Sequence, residues 1–317
     1  MKWHSRRPYR TALFISVAVA ILLIGGFYGS RAFFSRSIAS MPSAQAPAKS
    51  KQTTASKSGT PKTGTSTSPS PGATRSMTNT PLASLCGQAG WPEKAVDGGS
   101  YIIQNDEWNS TAPECLTTDG GAEFTVASSS IDEPIEGDPG GYPAIYSGCS
   151  SGVCTTGNKM PIQVSDLGPG TVTSNWATVQ PRSGAYDVGY DIWFNRTSAT
   201  SGTPDGGELM IWLAHQGGVA PSGAPVAHVT IDGLAYTIWV GPGNPSASGP
   251  QFDQITYVMD QATTSVHDLD VGAVAADAAS RGYVADTSYL VNIQAGFEIW
   301  EGSGGLETKS FALQIGT

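Results

Sequence analysis

The chain has 317 residues, a formal net charge of −9 and a charged fraction of only 14%. Its C-terminal part carries no basic patch or basic stripe interleaved with aromatics, which excludes nucleic acid as a partner. Low charge together with many Trp, Tyr, Asn and Gln residues suits a neutral polymer, held by stacking and hydrogen bonds rather than by ion pairs.

In chain order, Lys2, Arg6, Arg7 and Arg10 precede an uncharged run from Thr11 to Ser30 whose apolar centre is Ala12 to Phe27. Roughly 20 apolar residues span a bilayer and basic flanks stay on the cytoplasmic side. Residues 1–39 are therefore read as a basic cytoplasmic segment with a signal peptide or signal anchor. The rest of the chain is expected outside the cytoplasm, secreted or tethered to the outer face of the cytoplasmic membrane. This segment is the expected membrane contact. Residues 40–80 are Ser, Thr, Pro, Ala, Gly and Lys with almost nothing apolar. Such a sequence cannot bury enough surface to offset its ordering entropy, and it reads as a disordered linker.

Residues 81–317 change to a Gly-, Thr- and aromatic-rich texture with short alternating runs and frequent turn signals. That pattern predicts one all-β sandwich or barrel domain. A single helix is predicted from Asp270 to Arg281, where Val271, Val274, Ala275 and Ala278 recur at helical spacing, Asp270 caps the start and Gly282 ends it. It is expected on the outer face of a sheet.

Cys86, Cys115, Cys149 and Cys154 all fall in this domain, and none forms a metal-type CxxC pair. In an exported chain an even count reads as disulfides, with three pairings possible; Cys86–Cys115 with Cys149–Cys154 is the preferred one. His215, His228 and His267 lack the spacing of a zinc motif, and no serine elbow, phosphate loop or dinucleotide fingerprint is present. No metal and no cofactor are expected.

Carboxylates remain, and they recur on strands. Tyr190-Asp191-Ile192-Trp193-Phe194 places Asp191 and Trp193 on the face opposite Tyr190, Ile192 and Phe194. Glu208-Leu209-Met210-Ile211-Trp212-Leu213 places Glu208, Met210 and Trp212 opposite Leu209, Ile211 and Leu213. Near the C-terminus, Val291, Ile293, Ala295, Phe297 and Ile299 alternate with Asn292, Gln294, Gly296, Glu298 and Trp300. Each strand brings one acid and one Trp to a polar face. An arbitrary Glu on a strand is usually just solvent-facing, but Glu is depleted in strands, and here it recurs beside a Trp. Two Glu on one cleft face suit glycoside hydrolysis, where one acid protonates the leaving oxygen and the other attacks the sugar or activates water.

These segments carry a resemblance. Gly207 to Leu213 and Ala295 to Gly302, running on to Gly304-Gly305-Leu306, resemble the two signature strands of glycoside hydrolase family 12, the endoglucanase and xyloglucanase family. Tyr190 to Phe194 resembles its third acidic strand, Gln104-Asn105-Asp106-Glu107-Trp108 its early substrate-binding strand, and Gly141-Tyr142-Pro143 with Cys149 and Cys154 its disulfide-bearing segment. The likeness runs in order from about Leu82 to Thr317.

The resemblance implies a β-jelly roll of two curved antiparallel sheets whose concave sheet forms a cleft for a β-1,4-glucan chain. It implies a retaining endo-glucanase acting by double displacement, with Glu208 as nucleophile, Glu298 as general acid/base and Asp191 assisting the nucleophile. Retention requires the two carboxyl groups about 5–5.5 Å apart. Glu208 is expected to stay ionised while Glu298 has its pKa raised, giving a bell-shaped activity profile on the acidic side of neutrality. Asn105 and Trp108 match sugar-binding positions, Met210 and Trp212 are expected to line the floor, Trp300 to line the cleft, and Asn244 to reach the substrate from its turn. Trp193 is expected to be covered by a neighbouring strand, and Trp176 and Trp239 to be core.

The chain departs from the family at Asn105-Asp106 and Trp108-Asn109, and at Glu301, which alternation turns away from Glu298. Rival readings are a tethered glucan-binding module without turnover, an endo-xylanase on a related jelly roll and a structural surface protein. A monomer is expected, and the preferred glucan (cellulose, mixed-linkage glucan or xyloglucan) stays open.

Overall fold

A computed structural model describes residues 83–87, 91–243, 252–302 and 304–316. The N-terminal basic and apolar segment, the 40–80 linker and Asn244 lie outside the described residues.

Two sheets pack face to face. The smaller has six strands in the order Ala83–Cys86, Glu114–Thr118, Phe124–Ser129, Glu307–Ile315, Val172–Val179 and Ser265–Asp270. The larger runs Ala224–Ile231, Leu234–Pro242, Asp253–Met259, Gly207–Gln216, Ala185–Asn195, Tyr289–Gly296, Ala144–Ser150, Tyr101–Gln104 and Glu93–Val96, with short strands added at its margins. Hairpin neighbours alternate with sequentially distant ones, such as Glu307–Ile315 beside both Phe124–Ser129 and Val172–Val179, as a jelly roll requires.

The expectation of two antiparallel sheets is corrected in the larger one, where Gly207–Gln216 pairs with Asp253–Met259 in parallel. The connection after Gln216 carries the chain to the sheet edge, where the Ala224–Pro242 hairpin forms. The returning strand then lies between that hairpin and its parallel partner.

Strand alternation builds the core. Tyr190, Ile192 and Phe194 join Leu209, Ile211, Leu213, Ile293, Ala295, Phe297 and Ile299 on the inner face of the larger sheet. They meet Trp176, Phe124 and Phe311 from the smaller one. Trp176 packs edge-on to Tyr190 with centroids 5.0 Å apart, and Phe124 to Phe297 at 5.8 Å. The same alternation leaves Asp191, Trp193, Glu208, Met210, Trp212 and Trp300 on the outer face.

The helix spans Val271–Ser280, and its N-cap Asp270 accepts a hydrogen bond from the Ala273 amide at 2.9 Å. Just past its end, Gly282 takes φ +81°, the left-handed conformation that stops a helix. Its place differs from the expectation of an outer-face helix. Val271, Val274, Ala275 and Ala278 enter the common core, and Tyr257 Oη of the larger sheet donates to Asp277 Oδ2 at 2.7 Å. The helix's apolar stripe is thus buried in the core that both sheets share, beside Val172–Val179 of the smaller sheet.

Disulfides Cys86–Cys115 and Cys149–Cys154 form as preferred, the first tying neighbouring strands of the smaller sheet and the second closing a tight turn.

One alternation fails at the start of the C-terminal strand. Trp193 pairs with Asn292 but Phe194 pairs with Leu290, so Val291 is bulged out and Leu290 takes the core position expected of it. Gly148 makes this possible. It sits opposite Asn292 at φ +109°, and a Cβ there would stand 2.3 Å from Val291 O. Gly148→Ala is expected to destabilise the domain by at least roughly 1–3 kcal/mol, the cost of the backbone conformation alone. Urea unfolding with an unchanged midpoint would contradict this.

Candidate active site

On the outer face of the larger sheet lies a cleft of about 980 Å³. Asp191, Glu208 and Glu298 line it together with Trp108, Trp193, Trp212 and Trp300. Three adjacent strands thus deliver the three acids, because Ala185–Asn195 is hydrogen-bonded to the Glu208 strand on one side and to Tyr289–Gly296, which leads into Glu298, on the other.

Each acid has a distinct setting. Gln254 Nε2 donates to Glu208 Oε1 at 2.6 Å, reaching across from the parallel partner strand. Trp193 Nε1 donates to Asp191 Oδ2 at 2.7 Å. The Asp187 backbone amide donates to Glu298 O at 3.0 Å, and Asp187, wholly buried, faces the Glu298 side chain. Tyr142 Oη donates to Gly189 O at 2.8 Å beneath this group. Trp300 Nε1 donates to Gly137 O at 2.7 Å, fixing the loop that carries Asp138 beside Glu298.

Four carboxyls this close, three lining the cleft and Asp187 buried against Glu298, cannot all be ionised. Burial raises every one of them. Glu208 is pushed up to about 8, with Gln254 pulling it down and the charge of Glu298 adding to the rise. Asp191 is held well above the carboxylate range by burial and then by Glu208 and Glu298. Glu298 is also held well above it, by burial and then by Asp187. Asp187 is raised to about 7 by burial, while its hydrogen bonds with Glu298 oppose the rise. Neither buried Asp187 oxygen receives an amide or hydroxyl donor, so a protonated Glu298 is the group that can satisfy them. Burial therefore favours keeping protons within the cluster over ionising all four groups. The expected rise at Glu298 is present, but Glu208, expected to stay ionised, is raised as well, because burial acts on both.

Other expectations divide. Trp108, Trp212 and Trp300 lie in the lining. Asn105 does not: it is buried in the wall, its Nδ2 donating to Leu85 O at 3.4 Å and Glu114 O at 3.3 Å. Its neighbours Gln104 and Asp106 face the cleft instead. Met210 lies under the floor, packed with Trp212 and Trp300 and covered by Gln254, whose Nε2 is 3.2 Å from its Sδ. Trp193, expected to be covered, lines the cleft, and Trp239, expected in the core, is only half-buried. Trp176 is core, as expected. Glu301 is exposed outside the lining.

Three groups at the site were not anticipated: Asp187, buried against Glu298, and the lining residues Gln254 and Trp91. Asp187 shares the face of Asp191 by simple alternation, so extending the Tyr190–Phe194 pattern backwards would have found it. Gln254 and the exposed Trp91 come from segments whose placement next to the acids no local pattern encodes.

Comparison with known proteins follows from this geometry. The sequence profile described as Glycosyl hydrolase family 12 matches residues 99–316. A probable cellulase of Mycobacterium tuberculosis is 30% identical over 161 residues, covering 50% of this chain and 99% of the relative. A xyloglucan-specific endo-beta-1,4-glucanase A of Aspergillus niger is 26% identical over 242 residues, covering 73% and 90% respectively. Among solved structures, a metagenome-derived family 12 endoglucanase superposes with TM-score 0.69 at 30% identity, over 75% of this chain and 99% of its own. The endoglucanase cel12A of Rhodothermus marinus gives TM-score 0.68 at 33% identity, over 74% and 99%. With its profile match spanning most of the chain, and its acids on the outer face of the same fold, the protein belongs to glycoside hydrolase family 12.

Proposed function

We propose that this endo-β-1,4-glucanase of family 12 cleaves its glucan with retention of configuration, with Glu208 as nucleophile and Glu298 as general acid/base. The observation that carries the reading is geometric: two carboxyls share one cleft face, Glu208 accepting a hydrogen bond from the Gln254 amide and Glu298 flanked by Asp187. A nucleophile must be ionised and a general acid protonated.

In the first step the Glu208 carboxylate attacks the anomeric carbon while Glu298 gives its proton to the departing glycosidic oxygen, leaving a covalent glycosyl-enzyme. In the second, Glu298 takes a proton from water, the hydroxide oxygen bonds to the anomeric carbon, and Glu208 leaves as carboxylate. Neutral Asp191, held by Trp193, stands beside the nucleophile without adding a second charge. Indole faces in the lining suit the apolar faces of sugar rings. Two disulfides support a working place outside the cytoplasm, consistent with an N-terminal export or anchor segment.

Reducing-sugar release from barley β-glucan, carboxymethyl cellulose, xyloglucan and xylan tests the activity and names the polymer. Glu208→Gln and Glu298→Gln should each lower release from the preferred glucan by at least about 10²-fold, the low end of the usual effect of removing such a group. Retained turnover in either variant would remove the two-carboxylate assignment.

Activity should rise as Glu208 loses its proton and fall as the Asp187–Glu298 pair loses the proton it shares, so the rate is bell-shaped in pH. A flat profile from about pH 4 to 9 would contradict it. Asp187→Asn removes a negative charge beside Glu298, which makes ionisation of Glu298 easier. Carboxyl-carbon NMR of the variant should show Glu298 titrating at lower pH than in the parent; an unchanged or higher titration point would separate the two groups.

A further inference from the structure

Asn292 occupies the middle of the Tyr289–Gly296 strand, on the cleft face, and is only 1% exposed. Its cross-strand partners are Trp193 on one side and Gly148 on the other. Trp193 is in turn the partner of Glu208, so Asn292 lies in the nucleophile's row, two strand spacings or about 10 Å across the sheet.

Neither Nδ2 nor Oδ1 of Asn292 has a hydrogen-bond partner. The other carboxamides of the lining are engaged: Gln254 donates to Glu208, and Gln104 donates to Gln294 Oε1 at 3.1 Å. Gly148, which faces Asn292, has no side chain to offer. An unsatisfied buried polar group destabilises the fold, and Asn292 carries two such atoms. A side chain with that liability, lining a cleft, is accounted for when something in the cleft completes it. Beside it the Trp193 indole is held by Asp191 and by an edge contact with Phe252, centroids 6.2 Å apart.

Resting on the glucanase reading above, we propose that Asn292 and Trp193 form a sugar subsite on the nucleophile's flank of the cleft. Asn292 Nδ2–H donates to one hydroxyl of a glucosyl unit and Oδ1 accepts from the hydroxyl next to it, while Trp193 contacts the ring. At that distance the unit bound there is not the one under attack, so the subsite sets affinity for a chain and takes no part in bond breaking. An anionic or hydroxyl-blocked unit does not fit a site made of one amide and one indole.

The test separates a ligand-binding amide from a structural one. In full-length Glu208→Gln protein, cellohexaose binding is measured by calorimetry with and without Asn292→Leu, and the thermal midpoint of each is recorded. A leucine of similar shape removes both unmet polar atoms, so the midpoint should hold or rise, while Kd weakens about tenfold, equivalent to about 1.4 kcal/mol. Asn292→Ala should weaken binding similarly. A Kd within about twofold of the parent in both variants would overturn the proposal, and so would a midpoint that drops in both, since the amide would then support the fold. Binding in this background needs no turnover. Failure of the parent chain to hydrolyse any glucan would count against the glucanase reading alone, leaving the Asn292 result interpretable by itself.

Discussion

The strand Ala185–Asn195 is hydrogen-bonded along both edges, to the Glu208 strand and to the strand that leads into Glu298. That double pairing spaces the acids, because neighbouring strands in a sheet lie about 4.8 Å apart and their facing side chains share a side. It also fixes which side. Slipping the Glu208 strand by one residue would expose Leu209, Ile211 and Leu213, each worth roughly 1.5–3 kcal/mol when buried, and sink the acid into the core. The core face therefore holds the catalytic face in register, and the chemistry depends on hydrophobic packing that never touches the substrate.

Within that frame the cleft concentrates negative charge where water is scarce. Burial raises the pKa values of Asp187, Asp191, Glu208 and Glu298, and charges within the group add to the rise, so the cluster favours holding protons. Small differences in partners then separate roles. One amide from Gln254 favours charge on Glu208, and the acceptor oxygens of Asp187 favour a proton on Glu298. Asn292 places a buried neutral amide with neither polar atom paired in the same cleft.

The loops and edges around the cleft follow backbone rules rather than side-chain chemistry. Gly148 accommodates the Val291 bulge, which shifts the strand by one residue just before Asn292 and places Leu290 in the core. The Asp138 loop is tied to the Glu298 strand end by Trp300 Nε1 and by the Glu133 amide, which donates to Trp300 O at 2.7 Å. A long indole here serves two ends, its plane in the cleft lining and its N–H on a wall.

The sequence by itself determined the all-β class, the helix with both its ends, and the faces of the three central strands, because two-residue and 3.6-residue periodicities are written locally. Glu208, Glu298, Asp191, Trp212 and Trp300 were legible for that reason. At the early strand the reading slipped: the strand ends at Gln104, and Asn105 turns inward to satisfy Leu85 and Glu114 carbonyls from elsewhere in the chain. The parallel pairing that delivers Gln254, the helix bridging two sheets, the bulge at Val291 and the mutual titration of four acids were decided by tertiary structure alone. Each depends on which distant segments become neighbours, and hydrogen bonding, burial and charge act through space between groups that no local spacing relates.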